Sequence, residues 1–108
     1  RNDYATGAAA LALSAVIERN SVISRVTVHL DAAPTTSEAL TITLNSKEGA
    51  AYDVLLYTLD LSAGSTVDLI WKPDDEIILE TGDSIDVAYA NTDTNTYGVM
   101  IVTVESDT

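Results

Sequence analysis

Few residues in this chain could take part in bond chemistry, and their spacing argues against most of it. Nucleophilic catalysis needs a hydroxyl or thiol beside a base. The chain has one His and no Cys. His29 alternates with Val28 and Leu30 and falls on the face of Thr27 and Arg25, so it reads as a solvated strand residue rather than a base. A His-rich zinc site, a thiolate site and a disulfide are all ruled out by composition. Paired carboxylates can hydrolyse glycosides. Here, however, Asp74, Asp75 and Glu76 follow Pro73 at a bend and Asp83 follows Gly82, positions that turn chemistry explains.

Gly7, Gly49, Gly64, Gly82 and Gly98 are isolated, so no glycine-rich phosphate loop exists. The first four read as turn or loop glycines. Gly98 lies inside an apolar run and marks either a bulge or a close backbone approach. With no catalytic set, the chain is expected not to be an enzyme, and no cofactor is expected. Calcium is the one metal whose ligand chemistry the acidic loops carry. Loops at 74–76, 83–86 and 91–95 would have to converge at one end of the fold, and none has EF-hand spacing.

Trp71 and Tyr52, Tyr57, Tyr89 and Tyr97 could form a sugar-stacking platform. Trp71 is in phase with Val67 and Leu69, and Tyr89 with Ile85 and Val87, so core packing is the better reading of both. Tyr57 could point outward.

Charge narrows the partners. There are 17 acidic and 5 basic residues, a net charge of −12. Arg1, Arg19, Arg25, Lys47 and Lys72 are scattered, which argues against nucleic acid and against anionic membranes. Acidity of this kind serves solubility, a saline setting or a basic partner surface. Residues 8–17 are too few to span a bilayer and lack the basic start of a signal peptide. Beginning at Arg1, the chain is expected to be a processed or trimmed product.

The elements that position these residues are strands. Val26, Val28 and Leu30, then Leu40, Ile42 and Leu44, then Val67, Leu69 and Trp71, then Ile85, Val87 and Tyr89, each alternate with a second face. Turn residues separate the runs at roughly 8–12-residue intervals, the spacing of a sandwich or barrel. Strands are expected near 10–18, 22–30, 39–45, 52–60, 66–72, 77–80, 85–90 and 97–104. The fold class is therefore all-β: an antiparallel β-sandwich, jelly-roll-like, with about eight strands. At 108 residues it is one domain over 8–108, preceded by an extended N-terminal arm over 1–7. The runs at 52–59 and 97–104 are apolar on both faces, as expected either of doubly buried strands covered by a loop, by the arm or by another subunit, or of a sandwich whose outer face is less polar than average. That pattern places partner contacts at Leu55, Tyr57, Met100 and Val102, and at Arg1, Asn2, Asp3 and Tyr4 of the arm.

Residues 39–46 (ALTITLNS), 50–57 (AAYDVLLY) and 80–91 (ETGDSIDVAYAN) together resemble segments of small β-sandwich virion proteins of tailed bacteriophages. The resemblance spans roughly residues 20–104 and carries no catalytic signature. It implies a structural protein of the virion surface, a capsid decoration or cement protein. Its partners would be itself, with a trimer favoured, and a major capsid or other virion protein. The alternatives are a carbohydrate-binding or adhesive module, or a subunit of an extracellular filament.

Overall fold

Alternating side chains decide where this chain is extended, and turn residues decide where it stops. The computed structural model describes residues 1–106. Its strands are β1 Asn2–Gly7, β2 Leu11–Val16, β3 Ser21–Leu30, β4 Ala39–Asn45, β5 Val54–Asp60, β6 Asp68–Trp71, β7 Ile78–Leu79, β8 Ser84–Tyr89 and β9 Tyr97–Glu105. A single 3-10 turn, Ala50–Tyr52, delays β5 to residue 54. Among the described residues no helix is long and apolar enough to cross a membrane.

Two antiparallel sheets result. One runs β1-β9-β3-β6, with β7 also paired to β3, and the other runs β2-β8-β4-β5. The pairings nest: β1 with β9, β2 with β8, β3 with β6 and β7, and β4 with β5. The chain is thus a two-stranded ribbon folded at residues 46–53 and rolled up. This is a jelly roll, with the two sheets facing each other across the core.

The expected phases hold in the core. Val26, Val28 and Leu30, Leu40 and Ile42, and Ile85, Val87 and Tyr89 all point inward and are buried. They meet Leu11, Ala15, Val99 and Ile101 from the remaining strands. Two bulges reset the phase: pairing slips between Ile23 and Arg25 in β3, and between Ile42 and Thr43 where β4 meets β5. Each bulge lets one extra residue enter without turning the apolar side to water.

Four expectations need correction. Residues 1–7 are not an arm outside the domain; residues 2–7 are β1, paired to β9 from Asn2↔Val102 to Gly7↔Tyr97. The Arg1 backbone closes the ladder with Thr103, and its guanidinium donates to the Val16 carbonyl at 2.7 Å. The strand was hidden because its alternation is between small and polar residues. Neither 52–59 nor 97–104 is doubly buried. β5 is an edge strand, with Val54 and Leu55 exposed, and β9 leaves Val104 exposed and Met100 and Val102 half-buried. Tyr57 does not point outward but is half-buried against the core, its ring 6.0 Å from that of Trp71. Trp71 is likewise half-buried, and this stack bridges the edge strands β5 and β6.

Both ends of β8 are held by buried polar side chains. Asp83 is 8% exposed and accepts from the backbone N–H of Lys47 and of Glu80, each at 2.9 Å. Gly82, at φ +99, makes the turn that aims it. Asn91 is 2% exposed and donates to the carbonyls of Ala9 and Asn95. Its own backbone is left-handed, at φ 53, a conformation Asn tolerates.

Three stability outcomes follow. Ile42→Ala, at a fully buried position, should cost about 2–5 kcal/mol. Ile78→Ala, at a position 60% exposed, should change stability by no more than about 0.5 kcal/mol. Asp83→Ala strands two backbone N–H groups and should cost about 1–3 kcal/mol. Urea unfolding of the three variants against the parent measures all of these.

Candidate functional site

The outward positions of the β1-β9-β3-β6 sheet form one continuous surface. Register fixes its layout. Tyr4 lies across from Met100, and Asn2 across from Val102. Met100 in turn faces Thr27, and Gly98 faces His29. Beyond them, Thr27 pairs with Ile70 and His29 with Asp68. In an antiparallel sandwich this face is ordinarily polar. Here Tyr4 is 65% exposed and Ile70 68%, with Met100 and Val102 half-buried between strands.

A shallow depression of about 630 Å³ opens at its centre, floored by Gly98 and walled by Tyr4, Thr27, His29, Ile70 and Met100. Gly98 explains the depression. It introduces no register slip, so it is a close approach and not a bulge. The Tyr4 hydroxyl reaches over it, and a Cβ at Gly98 would lie 3.2 Å from that oxygen. On the rim, His29 Nδ1 and Asp68 Oδ1 are hydrogen-bonded at 2.6 Å, both well exposed. Exposed pairs of this kind contribute little to stability. Among the described residues no Ser or Thr hydroxyl is hydrogen-bonded to the His29 ring.

The expected contact residues separate into three groups. Asn2, Tyr4, Met100 and Val102 meet on this outer face. Arg1 and Asp3 are engaged with each other at 3.0 Å, and Arg1 also ties β1 to the end of β2. Leu55 and Tyr57 belong to the edge of the opposite sheet, Leu55 exposed and Tyr57 on Trp71. Tyr4 was singled out from the sequence, whereas Ile70 and Gly98 were not, because their place on this surface depends on which strands lie side by side.

The acidic loops do not converge. Residues 91–95 lie at one end of β8 and Asp83 at the other, about 20 Å apart for a six-residue strand. Among the described residues no group of three His, Asp or Glu side chains is placed to hold a metal ion. The carboxylates serve the loops instead. Asp93 accepts from the backbone N–H and hydroxyl of both Thr35 and Thr36. Those bonds, from Thr36 above all, hold its pKa down to about 2. Asp60 is lowered in the same way, first by the Ser37 hydroxyl and then by Ser62. Lys47 is raised by its hydrogen bond to Glu80 at 2.6 Å. Burial raises the Tyr89 phenol, with Glu38, Asp93 and Asp60 adding to the effect.

No protein-family model matches the chain, and no curated protein sequence matches it. The fold class, a jelly-roll β-sandwich, therefore rests on topology and register.

Asp93 gives a pH test. Its folded pKa lies below its ordinary value of 3.8, so the stability it adds is complete above about pH 4 and is lost as pH falls toward about 2. Asp93→Asn should melt below the parent at neutral pH, and the gap should close between pH 4 and pH 2. Thermal melts followed by circular dichroism across that range measure it.

Proposed function

We propose that this chain is a non-enzymatic structural protein of a virion surface, a capsid decoration or cement protein that works by contact. The observation that carries the reading is the apolar outer face built by Tyr4, Ile70, Met100 and Val102 on a sheet side that is usually wet. Contact between copies across this face would cover it, and closed rings of identical copies are the common outcome of such self-association. A trimer is the assembly expected. The jelly roll supports the reading by analogy with capsid proteins, and a fold of this kind also serves lectins, so the surface has to carry the argument. The net charge of −12 suits a shell surface that offers Lys and Arg.

A sugar-binding module is the second reading, favoured by one feature. Tyr4 stands beside the polar His29–Asp68 pair over an open depression, an aromatic wall with polar groups at its rim.

Native mass spectrometry and light scattering of the purified chain at tens of micromolar separate the two. A trimer is expected. Tyr4→Lys and Met100→Lys should each raise its dissociation constant roughly tenfold or more, with the strand spectrum unchanged. A wild-type chain that stays monomeric over that range overturns the assembly reading. Calorimetric binding of a hexasaccharide that is abolished by Tyr4→Ala would establish the second.

A further inference from the structure

The edge of the second sheet carries a different set of features. β5 pairs with β4 on one side only and ends its sheet. Among the described residues, its positions 54–59 make no backbone hydrogen bond beyond the β4 ladder. A strand edge of this kind is a template for another strand, and proteins usually protect it with charge, proline or a cover. Residues 54–59 (VLLYTL) contain none of these. Tyr52, Val54 and Leu55 stand exposed along it. The opposite edge of the same sheet, β2, has the Arg1 guanidinium seated on its Val16 carbonyl.

Beside β5 runs a groove of about 440 Å³ between the sheets, lined by Leu56, Tyr57, Trp71 and Ile77 with Asp74 and Asp75 at its mouth. An added strand places every second side chain on the side of such a groove, which is how main-chain pairing acquires specificity. The charge around it has one sign. Asp74 and Asp75 are exposed and make no hydrogen bond or ion pair among the described residues. Asp53 and Asp60 stand at the two ends of the strand. Lys72 is the one cation in the groove lining. A second copy would bring the same acidic ends into this site, whereas a segment with basic ends would neutralise them.

We propose that the free edge of β5 takes an added strand from another protein: an extended segment with an apolar centre and basic flanks. Its backbone would pair with residues 54–60, its apolar side chains would enter the Tyr57–Trp71 groove, and its Lys or Arg residues would meet Asp74 and Asp75. This goes beyond self-association through the other sheet and does not depend on it.

The probe is a capped peptide, Lys-Lys-Val-Thr-Val-Thr-Val-Thr-Lys-Lys, titrated against the full chain by fluorescence anisotropy and by amide chemical shifts. It should bind, with shift changes concentrated at residues 54–60. Replacing its lysines with glutamates should weaken binding roughly tenfold. The double variant Asp74→Lys, Asp75→Lys should invert that preference. Methylating every backbone nitrogen of the peptide centre should abolish binding. The proposal is overturned if the lysine peptide does not bind at millimolar concentration, if both flank charges bind equally, if the methylated peptide binds as well, or if the shifts map to Tyr4 and Met100. None of these failures would alter the oligomer mass, so the two proposals fail separately.

Discussion

The roll stays closed because its two ends are tied by buried polar side chains that loops cannot do without. Rolling a ribbon brings together segments far apart in sequence, and each loop then carries backbone groups that water no longer reaches. At one end Asp83 accepts from Lys47 and Glu80, and its backbone carbonyl accepts from Ile17. At the other, Asn91 reaches Ala9 and Asn95. The strand between them, β8, is an interior strand of its sheet and supplies Ile85, Val87 and Tyr89 to the core. Core packing and loop closure are thus set by one short stretch of chain, residues 83–91.

The core itself is made without Phe. Aliphatic side chains from both sheets, joined by the buried Tyr89, fill the roughly 10 Å between them, and other aromatic residues lie nearer the margins. Tyr57 and Trp71 close one side, where β5 and β6 end their sheets. On the other side Tyr97 reaches over Gly7, where a Cβ would lie 2.9 Å from its hydroxyl. That contact explains why β1 ends in glycine without any unusual backbone angle there. The two bulges serve the same end, since each sheds a register error that would otherwise rotate apolar residues into water.

Strand phase was legible because it depends only on neighbours in sequence. Val26, Val28 and Leu30 alternate with polar partners whatever lies beside them. Edge status was not legible, because it is a property of which strands meet. The apolar run at 54–59 looks like a buried central strand by composition, and only the pairing order shows that it ends its sheet. β1 escaped for the converse reason, since NDYATG offers no apolar face and becomes a strand only beside β9. Tyr4 was expected as a partner contact, but its place with Ile70 around one depression at Gly98 needs four strands in register. The acidic loops misled in their own way. Turn chemistry correctly explained Asp83, yet it gave no hint that one Asp would satisfy two distant backbone groups.

Acidity therefore has two origins in this molecule, and they fall on different surfaces. Asp60, Asp83 and Asp93 are committed to loop hydrogen bonds, and their charge is the by-product of closing the roll. Asp74 and Asp75 make no hydrogen bond or ion pair among the described residues. On the outer face of the first sheet, the rim carboxylates Asp31 and Asp68 already have partners, Thr96 and His29. Like charges repel most where they are unpaired and approach within a screening length, about 8–10 Å in physiological salt. Copies meeting on the β5 side would bring the exposed Asp74 and Asp75 of each within that range. In the two proposals, that repulsion disfavours a second copy at β5 and favours a strand with basic flanks there.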